Sequence, residues 1–191
     1  MAETYEWMVF VDGENFIRRG QELAGKYSIE LNDGKYYCRD TFLWIPSADG
    51  HTRLNIGHLF YSEKPVRSFY YASLAGDDYK IEDIRQRLWN LKFQPEVFKK
   101  AKDKPSKGVD ITLTKDMLVN AFDGNYNVAV LVSGDGDYVP VVEEVKRRGK
   151  VVDLWFFDNE GLSPKLKSAC DSFFDLTQVF AANWTAWKKT E

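Results

Sequence analysis

Histidine and cysteine are scarce in this chain. Two histidines, His51 and His58, and two cysteines, Cys38 and Cys170, are spread over 191 residues. There is no Cys-x-x-Cys, no His-Glu-x-x-His and no second histidine pair. A zinc-finger site and a histidine-built catalytic centre are thereby excluded. The cysteines read as two reduced thiols, which makes the cytoplasm the expected location. No apolar run approaches the roughly 18 residues that a membrane helix requires. The start, Met-Ala-Glu-Thr-Tyr-Glu-Trp, lacks the basic opening and apolar stretch of a secretory signal. Several nucleotide, calcium and hydrolase templates are missing too: the Gly-x-x-x-x-Gly-Lys-Ser/Thr loop, Gly-x-Gly-x-x-Gly, the EF-hand loop and the Gly-x-Ser-x-Gly elbow. Neither charge dominates, with 26 Lys+Arg against 29 Asp+Glu and a net charge of −3. Any metal in such a protein has to be held by carboxylates.

What is present is apolar mass in short blocks. Hydrophobic residues make up 44% and aromatics 15%, enough for one ordinary core, so a single domain over 1–191 is expected. Unbroken runs predict buried strands at Trp7–Val11, Ser68–Leu74, Val128–Val132 and Val151–Phe157, with shorter strands at Phe93–Phe98 and Phe173–Leu176. Between them, helical spacing places helices after Asp12-Gly-Glu-Asn15, over Ile81–Leu91, Asp110–Phe122 and Val139–Arg148, and a short one over Ser163–Ser172 behind Pro164. The stretch from about Gly25 to Arg67 is rich in Tyr, Asn, Asp and Gly, with weak strand patterns at Tyr36–Trp44 and near His58–Tyr61. Alternation of strand and helix almost throughout predicts an α/β fold with a mostly parallel central sheet. Such sheets bind ligands beyond the carboxyl ends of their strands.

Carboxylates stand at those ends. Asp12 follows the first strand, and Ser133-Gly-Asp-Gly-Asp137 follows Val132. If the two strands are neighbours, Asp12, Asp135 and Asp137 meet at one sheet edge, and a helix packed against that edge brings Asp116 to the same place, with Asp110 as a further candidate; Asp12, Asp116 and Asp135 are then expected to share one cation or its waters. Crowded carboxylates resist ionising together, and a hard divalent cation such as Mg²⁺ or Mn²⁺ relieves that conflict. Each acid also has a plain structural reading: Asp12 and Asp110 as helix caps, and the Ser133–Asp137 segment as a turn. Asp110 and Asp116 lie six positions apart, about 120° around one helix, so they do not share a stripe. Whether that helix begins at Asp110 or is capped by Thr114 is open.

Val9-Phe-Val-Asp-Gly-Glu-Asn15, Lys107-Gly-Val-Asp-Ile-Thr-Leu-Thr-Lys-Asp116 and Leu131-Val-Ser-Gly-Asp-Gly-Asp-Tyr-Val-Pro140 resemble the NYN domain family, a LabA-like group of PIN-like nucleases. Gly149–Asp153 and Ser163–Asp171 fit its closing segments. The resemblance implies a PIN-like three-layer α/β/α fold with a metal-dependent ribonuclease-type site loaded with Mg²⁺ or Mn²⁺. Carried over, the acidic ligands are Asp12, Asp116, Asp135 and Asp137, with Asp110 beside them; Asn15 and Ser133 support them. The stretch 34–67 departs from the family pattern as an insertion.

The expected partner is RNA, single-stranded. Lys99, Lys100, Lys102, Lys104 and Lys107, with one aspartate among them, give a local +4 ahead of the acidic motif, and Arg18 and Arg19 follow the first. Lys and Arg are the usual phosphate contacts. For the lysine run, a solvated loop is the alternative. Tyr36, Tyr37, Tyr79 and Tyr138 read either as packing residues or as platforms for unpaired bases. No membrane partner is expected, and a homodimer is admitted. Three functions stand open: a metal-dependent nuclease acting on RNA, a non-catalytic RNA- or protein-binding regulatory module, and a small phosphoester hydrolase. In the first, the cation activates the water and Asp137 takes its proton.

Overall fold

The computed structural model describes residues 6–46, 64–100, 108–159 and 161–188. Six parallel strands form the central sheet: β1 (Trp7–Asp12), β4 (Arg67–Leu74), β5 (Gln94–Lys99), β6 (Val128–Val132), β7 (Val151–Phe156) and β8 (Ser172–Asp175). Their order is β5-β4-β1-β6-β7-β8. Every side chain of β1 and β6 is buried, which explains their unbroken apolar sequence: helices cover both faces. The strand near 7–11 and the strand near 128–132 are direct neighbours, with Trp7 opposite Val128 and Val11 opposite Val132.

The helices are α1 (Gly13–Lys26), α2 (Asp78–Asn90), α3 (Gly108–Phe122), α4 (Val139–Arg147), α5 (Pro164–Ala169) and α6 (Thr177–Lys188). Right-handed crossovers put α1 and α2 on one face and α3, α4 and α5 on the other. The sheet and its two helical layers make the three-layer PIN-like α/β arrangement. Among the described residues, no helix is long and apolar enough to cross a membrane.

Within the 34–67 stretch, Tyr37–Cys38 (β2) and Phe42–Leu43 (β3) form a small antiparallel ladder. It lies on α1, where Gly20 is required because a Cβ there would overlap the Leu43 side chain. The buried Tyr70 hydroxyl donates to the Leu43 carbonyl (3.0 Å) and accepts from the Leu43 N–H (3.1 Å). Asn183 of α6 donates to the Pro46 carbonyl at 2.8 Å. Phe16, Phe157, Phe180 and Trp184 continue the aromatic core behind it. The strand pattern at His58–Tyr61 lies outside the described residues.

Candidate active site

Direction reverses in this sheet between β1 and β6: from β1 the chain proceeds to β4 on one side, and β6 begins the other. The crevice beyond the carboxyl ends of two such strands is where open α/β sheets bind ligands. β1 delivers Asp12 to that point. Its Oδ1 caps α1 by accepting the Asn15 N–H at 3.1 Å, and its Oδ2 accepts the Ser133 hydroxyl at 3.0 Å. Ser133 in turn accepts the Asp135 N–H at 3.1 Å, and the Asn15 side chain accepts the Gly134 N–H at 3.0 Å. The two strand ends are thus tied by a closed polar ring. Gly13 completes it: a Cβ there would overlap the Tyr70 ring and the Tyr71 carbonyl.

Asp135 caps a 3₁₀ turn, Gly136–Tyr138, by accepting the Asp137 N–H at 3.0 Å. The turn sends Tyr138 inward, where its hydroxyl donates to Asp110 Oδ1 at 3.1 Å. Asp110 sits in the first turn of α3, which runs unbroken from Gly108, so neither Asp110 nor Thr114 is its cap. A cleft of about 390 Å³ collects Asp12, Asp110 and Asp135 with Asn15, Arg18 and Lys100. Glu14, Gln21, Asp40, Thr41 and Ser73 also line it.

The electrostatics are those of crowded acids. Burial pushes the Asp12 carboxyl up to about 6; its bonds to Asn15 and Ser133 oppose this, and the charges of Asp110 and Glu14 add to it. Asp110 is also raised, by burial first, against the Tyr138 bond, with Asp135 and Asp137 adding. Tyr138 is held far above the ordinary phenol range by burial and by the charges of Asp12 and Asp110. It stays protonated and acts as a donor.

Other expectations part from this geometry. Asp116 is not in the cleft. A third of a turn around α3 from Asp110, it accepts the Tyr71 hydroxyl at 3.1 Å and pairs with Lys115 at 3.1 Å. Asp137 is exposed beside the cleft. Among the described residues, no three acidic, histidine or cysteine side chains converge as a metal-holding group, so Asp12, Asp116 and Asp135 do not share one cation position in this arrangement. Arg18 lines the cleft, but Arg19 turns to a separate pocket and pairs with Glu22 at 2.8 Å. Lys99 pairs with Asp78 at 2.7 Å, while Lys102, Lys104 and Lys107 lie outside the described residues. Of the four tyrosines, Tyr36, Tyr37 and Tyr138 are buried and serve packing or hydrogen bonding; only Tyr79, 89% exposed, is open.

Sequence reasoning missed Glu14, Gln21, Asp40, Thr41 and Ser73. One signal was available: Glu14, Arg18 and Gln21 stand at i, i+4 and i+7, one stripe of the helix that Asp12 caps. Ser73 reaches that stripe through its hydroxyl, which donates to Glu14.

A parallel sheet with a carboxylate-lined crevice at its switch point defines an α/β domain with an acidic candidate site. The chain belongs to the NYN domain family, whose model matches residues 6–177. No curated protein matches it. Among solved structures, it is similar to a protein of unknown function, VPA0982, from Vibrio parahaemolyticus, at 20% identity and a TM-score of 0.61. That match covers 94% of this chain and 98% of the other. At this identity the likeness is one of fold.

Proposed function

We propose that the protein is a metal-dependent ribonuclease that hydrolyses phosphodiester bonds of single-stranded RNA in the switch-point cleft. The observation that carries this reading is the cleft's two-signed lining. Asp12, Asp110 and Asp135 share it with Arg18 and Lys100, two cations for which the described residues provide no ion pair. Acids alone suit a cation; acids beside unspent cations suit a cation together with a phosphate.

Mg²⁺ or Mn²⁺ fits the donor set in its chemistry. The donors are all oxygen, and Mg²⁺ is commonly held by one or two carboxylates, waters and substrate phosphates rather than by a full protein cage. One or two of Asp12, Asp110 and Asp135 would hold it, with water and phosphate oxygens completing its shell, and its positive charge would offset the crowding that raises Asp12 and Asp110. When bound, such an ion lowers the pKa of a water and stabilises charge on the phosphate. The chain's own groups do the rest. Arg18 and Lys100 hold the RNA backbone. Asn15 and Ser133 fix the Asp12 carboxylate, and Tyr138 fixes Asp110. Asp137, exposed next to them, accepts the proton.

A labelled single-stranded RNA incubated with Mn²⁺ and with EDTA tests the proposal. Cleavage should need the metal. Asp12→Asn and Asp135→Asn should each lower the rate at least about a hundredfold, as loss of charge stabilisation at a reacting centre does, while RNA binding is kept or tightened. Wild-type rates in Asp135→Asn would overturn the assignment. The second reading, a binding module without catalysis, draws on the lack of convergence among the carboxylates; binding without metal-dependent cleavage would favour it.

A further inference from the structure

The strands that end at the cleft begin at a second concavity. It measures about 300 Å³ and lies at the amino ends of β4 and β5, lined by Val66, Arg67, Trp89, Lys92, Phe93 and Gln94. Trp89 is 61% exposed, on the flank of the α2 face that buries Ile81, Ile84 and Leu88. The backbone that carries it is fixed. The Lys92 N–H bonds the Trp89 carbonyl at 2.9 Å, and the Phe93 N–H bonds the Leu88 carbonyl at 3.0 Å. Phe93 forms the floor, wedged edge-on against Trp44 and Tyr70 with ring centres at 4.8 and 5.3 Å.

The charge around that indole is of one sign. Among the described residues, the Arg67 side chain bonds the neutral Gln94 amide oxygen, at 3.3 Å, and no carboxylate. Lys92 has no ion pair among the described residues. The acids on α2 are spent elsewhere, Asp78 on Lys99, Glu82 on Arg85 and Asp83 on Arg87. Among the described residues, no acidic side chain lines the concavity. In a chain of net charge −3, an exposed indole between two uncompensated cations complements a ligand with a flat apolar ring and negative charge. An extended peptide is disfavoured, although β5 is an edge strand. Pro95 removes one ladder donor, and Arg85 already occupies the Val97 carbonyl at 3.1 Å.

We propose that Trp89, Arg67 and Lys92 form a second nucleic-acid contact, with an unpaired base stacked on the indole and its phosphates on the two cations. Base–aromatic stacking of this kind tolerates any sequence. The platform and the cleft lie at opposite ends of the same two strands. The five steps from Ser68 to Ser73 place them about 17 Å apart at about 3.3 Å per residue, so one RNA strand can engage both. The identity of the polymer rests on the reading of the cleft; the platform's existence does not depend on cleavage.

Fluorescence anisotropy of the full chain with a labelled single-stranded RNA 20-mer, in EDTA, tests this. Trp89→Leu should weaken binding about fivefold or more, from the roughly 1–3 kcal/mol that stacking contributes per base. Trp89→Phe should keep most of the affinity. Arg67→Ala/Lys92→Ala should weaken binding and flatten the log–log salt slope by about 1.4, two phosphate contacts at about 0.7 each. All three side chains are exposed, and circular dichroism checks the fold. Unchanged binding in Trp89→Leu overturns the proposal. So does equal loss in Phe and Leu variants, or loss of a labelled acidic peptide with RNA binding intact. Trp89-dependent RNA binding without Mn²⁺-dependent cleavage would leave the platform standing and remove the nuclease reading. Cleavage without Trp89 dependence would do the reverse.

Discussion

Asp12 does two jobs that conflict. Its carboxylate caps α1 and joins the strand ends through Ser133, yet it is 3% exposed and faces Asp110 and Glu14. A carboxyl raised to about 6 in the fold, against about 3.9 in an unfolded chain, carries a penalty for its charged form. That penalty is present in full above pH 6. It is relieved as pH falls from 6 toward 4, because the folded state takes up a proton that the unfolded state does not. Asp12→Asn keeps the shape and removes the charge. In EDTA at pH 7.5 it should therefore stabilise the protein, by on the order of 2 kcal/mol, and at pH 4 the gain should largely vanish. Urea melts at the two pH values measure this. A variant less stable than wild type at pH 7.5 would show that the Asn15 and Ser133 bonds outweigh the crowding. Tyr138 shows the same tension from the other partner: as a protonated phenol it satisfies Asp110 without adding charge to the cluster.

At the scale of elements, the β2–β3 hairpin shapes the cleft more than its two-residue strands suggest. Asp40 and Thr41 line the cleft, and Gln21 of α1 donates to Tyr37 and Asp40 at 2.9 and 3.1 Å. Its firmest anchor is the Tyr70 hydroxyl, which serves both backbone groups of Leu43. Tyr70→Phe keeps the ring packing and leaves a buried N–H and a buried C=O without their partner. It should cost about 1–3 kcal/mol and raise hydrogen exchange at Leu43 before the rest of the sheet. Exchange at Leu43 no faster than in wild type would show that Gly20 packing and the Asn183 bond hold the hairpin alone. The hairpin was barely legible in the sequence, because two-residue strands are too short to show a period. The β1 and β6 strands were fully legible, because burial on both faces writes an unbroken apolar run. The helical phase between Asp110 and Asp116 was legible as an angle. Which of them meets the cleft was not, since Tyr71 and Tyr138 decide that from other elements. Polar lining residues such as Gln21 and Thr41 follow no hydrophobic period and come into view only when the elements pack.

Across the whole molecule, the topology explains why one end of the sheet carries the chemistry. All six strands are parallel, so every carboxyl end opens on the same side, and the reversal between β1 and β6 leaves a crevice there. The amino end is closed by aromatic packing around Trp44 and Phe93 and bears the exposed Trp89 on its rim. The family match stops at residue 177, but the folded unit extends further. Helix α6 buries Phe180 and Trp184 completely and holds the hairpin through Asn183. This helix escaped sequence reading because, among its described side chains, only these two fully buried anchors, one turn apart, mark its inner face. Losing a buried Phe or Trp side chain costs about 3–5 kcal/mol, and domains have only about 5–15 kcal/mol in all. A chain ended after Leu176 should therefore lose most of its stability, expose the Phe157 face to a hydrophobic dye and release the Tyr36–Ile45 segment to proteolysis. Phe180→Ala alone should lower the midpoint without unfolding the protein at 25 °C. A truncated chain that melts cooperatively near the wild-type temperature would mean that the core closes without α6 and that the domain ends where the family match does.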